Sequence, residues 1–342
     1  MATALFALMV AMWAGLIRLG WGWPTIKPTL PMAHGPLMVS GFLGTLISLE
    51  RAVALDKRWP YVAPLLSGLG AVLLIVGVSG WLGPLLITMG SVLLVLILVQ
   101  ILRIHVTLYT GVIIAGTLCW LVGNLFWLLG WPVYQIVAWW IGFPLLTVAG
   151  ERLELGRFLR LSKQVTGAFI VCMMLFLSGA AASTVNYALG MRLAGMGMVL
   201  FATWLLRYDI ASRRIKAGGQ ARFIAMGLLS GYIWLAFGGI LALIYSGLYA
   251  GPIYDAMLHA IFLGFVFTMI FAHAPIIFPA VLQRTFVYSP RLYSHLILLH
   301  ITLTLRVAGD LLFWWPGRLW GGLLNALVIL LFLGNTLTSI RK

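Results

Sequence analysis

Apolar stretches of about 20 residues recur along the chain from end to end, each parted from the next by a few polar or turn-forming residues. A helix of about 20 residues, rising 1.5 Å per residue, crosses the hydrocarbon core of a bilayer. The stretches fall near 2–20, 33–55, 61–79, 83–102, 108–129, 133–150, 164–183, 187–206, 222–247, 254–280, 292–313 and 319–338. None shows the alternation of a barrel strand, and a backbone in lipid must bond within its own segment or a closed barrel. The pattern therefore predicts an all-α integral membrane protein of about twelve transmembrane helices. The connections are short and no Ser- or Pro-rich linker interrupts them, so residues 1–342 read as a single polytopic transmembrane domain. No fixed-period repeat stands out.

Composition sharpens this picture. Of 342 residues, 63% are hydrophobic and only 8% charged, against about 25% charged in a soluble domain. The net charge of +15 does not point to nucleic acid, because the basic residues are spread thinly between apolar runs. They follow the positive-inside rule instead: 17 of the 22 Lys and Arg fall on one side of the predicted topology, in the even-to-odd connections and the C-terminus. This bias predicts both termini in the cytoplasm and a multi-pass protein of the cell (inner) membrane, with lipid as its main surroundings. The turns Trp21-Gly22-Trp23-Pro24 and Trp314-Trp315-Pro316 then sit at the outer interface as aromatic belts. The run from Ala2 to Ile17 lacks a basic leader and is long enough to span, so it reads as the first helix and not as a signal peptide. Cys119 and Cys172 lie inside apolar runs without CxxC spacing and read as buried, inert thiols.

Ionisable residues within spans are the natural functional candidates, because they are costly there. His34 opens the second span and His259 lies in the first turns of the tenth. Both spans run inward in the predicted topology, which puts both imidazoles near the outer face. Two histidines at matched depth on different helices can ligate one haem iron from its two sides; each could equally cap a helix or bond a carbonyl. His273 follows His259 by about 21 Å of helix and cannot reach the same iron. His105, His273, His295 and His300 fall in the cytoplasmic half, where capping and packing compete with a proton path or quinone pocket. Arg306, well inside the eleventh span, has two readings: a salt bridge with Asp310 one turn on, or a bidentate fork for a haem propionate. Glu50-Arg51 and Glu151-Arg152 read as interfacial pairs at span ends.

These residues carry a resemblance. The stretch His34-Gly35-Pro36-Leu37-Met38 resembles the second helix of haem–copper oxidase and nitric oxide reductase catalytic subunits, where H-G-x-x-M holds a low-spin haem ligand. The run from His259 to Pro279 resembles their tenth helix, whose low-spin haem histidine precedes a Phe-Pro. The closer likeness is to the NnrS family of twelve-span, haem- and copper-associated membrane proteins linked to nitric oxide stress. Its H-A-x-x-x-G-x-x-x-T-M-I is matched by His259, Ala260, Gly264, Thr268, Met269 and Ile270. Pro290-Arg291-Leu292 and Leu305-Arg306-Val307 echo a following pattern, and His34, Met38 and Gly41-Phe42 match the early helix.

The resemblance implies a haem–copper-oxidase-like bundle and one bis-histidine haem b, with His34 and His259 as iron ligands and Arg306 as a propionate partner. The departures remove the catalytic centre. Met257 stands where the oxidases carry the histidine of the reactive haem, Pro36 stands where NnrS helices commonly carry a second histidine, and spans 6 and 7 contain no histidine. The resemblance thus gives no support for copper or for oxygen or nitric oxide reduction by this chain alone. It implies electron transfer with a periplasmic redox protein or a membrane quinol, or a response to nitric oxide if one ligand leaves. A secondary transporter of a small solute is the alternative, although Arg306 and Asp310 have no mirrored counterpart in the first half. A structural subunit with a vestigial motif is a third reading.

Overall fold

In the computed structural model, which describes every residue except Ile26, Ser79, Arg157, Phe158, Arg160 and Lys342, apolar helix follows apolar helix through the chain. Arg157, Arg160 and Lys342, counted in the basic bias, lie outside the described residues. Twelve helices among the described residues are long and apolar enough to cross a membrane. The chain divides into two compact units, Met1–Gly150 and Glu151–Lys342.

The first unit holds α1 (Ala2–Leu19), α2 (Leu30–Leu55), α3 (Trp59–Val76), α4 (Leu82–Ile104), α5 (Leu108–Leu128) and most of α6 (Val133–Gly156). The ends of its helices are written in local chemistry. α1 stops at Gly20, whose φ of 116° is open to glycine, and the next amide reaches back to the Leu16 carbonyl. The Thr107 side chain accepts the Thr110 amide and caps α5. The core packs Ala7, Val10, Ala11 and Ala14 of α1 against Leu30 and Leu37 of α2 and Ala71 and Ile75 of α3. With lipid on the outside as apolar as any side chain, such small residues work by letting helices approach closely.

The second unit holds the end of α6, then α7 (Lys163–Ala182), α8 (Tyr187–Tyr208), α9 (Gly219–Ile244), α10 (Pro252–Leu282), α11 (Leu292–Leu311) and α12 (Trp315–Leu337). Ser162 and Asn186 cap α7 and α8 by accepting the amides of Val165 and Leu189. A two-residue antiparallel pairing of Thr285–Phe286 with Ile340–Arg341 ties the end of the chain to the turn after α10. Pro275 and Pro279 lie inside α10 and Pro144 inside α6, as helices among other helices allow. Cys119 and Cys172 are both buried free thiols.

Span boundaries follow the sequence expectation closely, with one informative exception. The sixth helix continues to Gly156, so Glu151 and Arg152 lie within it and not at its end. Arg152 does not form the expected interfacial pair with its neighbour: it is buried, with partners on other helices. Glu50 and Arg51 do pair, at 3.7 Å, within α2.

Two helices depart from α geometry. In α2, Leu37–Gly44 form a π-helix between the α-helical turns His34–Pro36 and Thr45–Leu55. In α10, Ala260–Phe267 do the same after the α-helical Pro252–His259. Each π segment contains a Gly-Phe pair, Gly41-Phe42 or Gly264-Phe265, and each ends just before a threonine, Thr45 or Thr268. π turns concentrate at functional sites, and here each follows one of the two histidines singled out by sequence.

Candidate functional site

In the first unit, His34 stands at the start of α2 with its ring against α1. Its Nδ1 lies 2.7 Å from the carbonyl oxygen of Ala11. A mid-helix carbonyl already accepts the amide four residues on, but its second lone pair can take another donor. The residue four positions on is Gly15. Helical side chains lean towards the N-terminus over the preceding turn, so a glycine there leaves the Ala11 carbonyl uncovered. A Cβ at Gly15 would sit 2.7 Å from Cε1 and Nδ1 of the ring. Nearby, the indole of Trp13 donates to the Pro24 carbonyl at 3.1 Å and packs on Trp23, ring centroids 4.6 Å apart, with Trp21 beyond.

The π segment that follows is held from inside by a buried polar network. Trp120 donates to Ser40 Oγ at 3.0 Å, Ser40 Oγ donates to Asn124 Oδ1 at 3.2 Å, and Trp140 donates to the same Oδ1 at 3.1 Å. Indole N–H groups only donate, which fixes the orientation of the Asn124 amide.

In the second unit, His259 closes the first α-helical stretch of α10. Its Nδ1 lies 2.8 Å from the backbone oxygen of Asp255 one turn earlier and 3.5 Å from the Asp255 carboxylate. That carboxylate is gripped in turn by Arg306 Nη2 at 2.7 Å and approached by Arg318 Nη2 at 3.6 Å. Arg318 Nε lies 2.8 Å from the fully buried Asp310, which Arg306 Nε meets only at 4.0 Å. The anticipated Arg306–Asp310 pair is thus a loose one, and the tight partner of Arg306 is Asp255. Two arginines and two aspartates form one charge-balanced cluster beside His259. Gly321 of α12 backs directly onto Arg306, where a Cβ would come within 2.6 Å of the arginine backbone.

Both imidazoles therefore offer Nδ1–H to a backbone carbonyl, which puts the lone pair of each ring on Nε2. This is the arrangement by which proteins orient metal-binding histidines.

The other histidines have partners elsewhere in the fold. His273 is buried, gives Nδ1–H to the Met269 carbonyl at 2.7 Å, and receives Arg152 Nη2 on Nε2 at 3.1 Å. Arg152 Nε stands 4.0 Å from Asp209, whose Oδ2 accepts the Tyr232 hydroxyl at 2.6 Å and whose Oδ1 caps Ala211. His300 accepts the Trp234 indole on Nδ1 at 3.0 Å and bonds Ser230 through Nε2 at 2.9 Å. His295 meets Asn335 at 3.2 Å among Phe223, Phe271 and Phe332. His295 and His300 thus face different neighbours, as their five-residue spacing predicts, and His105 is the exposed C-cap of α4.

Sequence reasoning missed Gly15, Asp255 and Arg318 at the two histidine environments, and Asp209 and Tyr232 in the second buried cluster. Asp255 was legible, being one turn before His259; the others come together only through packing. Among the described residues no group of three or more His, Cys, Asp or Glu is placed to hold a metal ion. A haem asks less of the protein, because its macrocycle supplies four of the six iron ligands.

These features define an all-helical, multi-pass membrane protein with two anchored histidines, each leading into a π-helical segment. The chain belongs to a family described as a domain of unknown function, DUF8744, whose family model matches residues 1–341. No curated protein matched the chain.

Proposed function

We propose that the protein binds one haem b, which His34 and His259 would hold, and acts in electron transfer or in a response to nitric oxide, with both termini on the cytoplasmic side of the cell membrane. The observation that carries this reading is the shared anchoring: each Nδ1–H meets a backbone carbonyl at 2.7 or 2.8 Å, so each ring is oriented to ligate through Nε2. The π segments beside both histidines and the likeness to NnrS and oxidase helices support it. When bound, the haem would supply a one-electron couple, with His34 and His259 as the residues that hold it.

The chain's own residues would position that couple. The carbonyls of Ala11 and Asp255 fix the ring orientations, and Gly15 gives the His34 ring its room. Arg306 would hold a propionate only by sharing its guanidinium with Asp255. A periplasmic redox protein or a membrane quinol is the electron partner this reading calls for. The charge-balanced cluster around Arg306 is also what a buried structural network looks like, so the histidines and not the arginine are the test.

Optical difference spectra of the detergent-purified protein, reduced minus oxidised, decide the matter. Sharp low-spin b-type bands at about one haem per chain, lost in His34→Ala and in His259→Ala but kept in His105→Ala, are expected. A colourless protein purified from cells supplied with haem would falsify the reading and leave a secondary transporter as the better account.

A further inference from the structure

We propose that the Asp255 carboxylate is a positioning residue that sets the donor strength of His259, and that Arg306 and Arg318 regulate it by competing for the same carboxylate. This rests on the haem reading above and goes beyond it, from which residues hold the iron to what tunes the iron's affinity for an electron.

The geometry is that of a shared proton donor. The Nδ1–H of His259 meets the Asp255 carbonyl at 2.8 Å and has the carboxylate Oδ1 of the same residue at 3.5 Å. The other carboxylate oxygen faces two guanidinium groups, at 2.7 Å from Arg306 and 3.6 Å from Arg318. Asp310 limits the competition. It is fully buried and draws Arg318 to 2.8 Å, so neither arginine is given wholly to Asp255. The negative edge of Asp255 therefore lies between the imidazole and the arginines, and its pull on Nδ1–H depends on how firmly they hold it.

A carboxylate on the far nitrogen of a ligating imidazole raises the basicity of the nitrogen that binds the metal. A more basic ligand favours the oxidised iron and lowers the reduction potential. Removing the Asp255 charge should do the reverse.

The test is a potentiometric titration of the b-type absorbance in the full-length, haem-bearing protein. Asp255→Asn should raise the midpoint by an amount equivalent to about tenfold in the reduction equilibrium, roughly 59 mV for one electron. Asp255→Glu, which keeps the charge but displaces it from Nδ1, should raise the midpoint by less than that amount, and it carries the test if the asparagine variant does not fold. Asp310→Asn removes the same charge from the same cluster without touching the ring and should move the midpoint less. A haem-bearing Asp255→Asn protein with an unchanged midpoint overturns this inference alone. Equal shifts in the Asp255 and Asp310 variants also overturn it, because they reduce the effect to nearby charge. A wild type that binds no haem overturns the underlying reading, and this inference with it.

Discussion

At the scale of single residues, the two histidine environments rest on backbone carbonyls and on the absence of one side chain. Gly15 shows this most directly. Its missing Cβ is what lets the His34 ring reach the Ala11 carbonyl, so Gly15→Val should abolish the b-type bands while Gly22→Val, in open space, leaves them unchanged. The measurement is the same difference spectrum, read against protein yield. Asn124 makes a second case, free of any cofactor. Its Oδ1 accepts from Trp140 and Ser40 in a fully buried site, and Asn124→Ala leaves those donors without an acceptor. A loss of about 1–3 kcal/mol is expected, measurable as a lowered midpoint of thermal unfolding in detergent. An unchanged midpoint would mean that another group replaces the amide. The histidines were legible because an ionisable side chain in an apolar run stands out. Gly15 and Asn124 were not, because a glycine or an amide among apolar residues signals nothing until a neighbouring helix is brought against it.

At the scale of helices, the apolar runs gave the twelve spans almost to their ends, since length and hydropathy are what a bilayer selects. α6 is the instructive departure. A Glu-Arg pair ordinarily marks the end of a span, yet this helix continues because Arg152 finds His273 and Asp209 inside the protein. Arg152→Met should therefore cost about 3–5 kcal/mol by stranding the buried Asp209 charge, whereas Arg152→Met combined with Asp209→Leu should cost less than the single change. A double-mutant cycle of unfolding free energies in mixed micelles checks this, and simple additivity would sink it. The π segments left no trace in hydrophobic periodicity, because their helices are apolar almost all round. One shared spacing does not supply that trace, because it also falls on α6, which is α-helical over Val133–Gly156. Gly41-Phe42 precedes Glu50-Arg51 by the same spacing that separates Gly142-Phe143 from Glu151-Arg152 and Gly264-Phe265 from His273. These marks fall on α2, α6 and α10, at unequal distances along the chain, which is why a search for a fixed period passes over them.

At the scale of the whole molecule, two compact helical units divide one continuous run of spans, and the division falls within α6 where no linker announces it. Connections throughout the chain are uniformly short, so composition gives no sign of such a boundary. The charge bias makes a separate claim. With 17 of 22 basic residues assigned to one side, a fluorescent protein fused after Lys342 should fluoresce and alkaline phosphatase fused there should stay inactive. Active phosphatase at that position would reverse the orientation and with it the proposed outer placement of both histidines.

The π segments also fix a rotational phase. Each residue of an α-helix turns the chain by about 100°, and a π turn spreads the same revolution over more residues. Wound as an ordinary α-helix, the same eight residues, Leu37–Gly44, would turn further by about one residue's angle. With Thr45–Leu55 held by their packing, everything before the segment would be rotated by about that angle. The His34 ring would then leave the groove beside Gly15, although every residue that touches it is still present. The wide winding of each π run is therefore part of the site, because it sets the direction in which the histidine before it points.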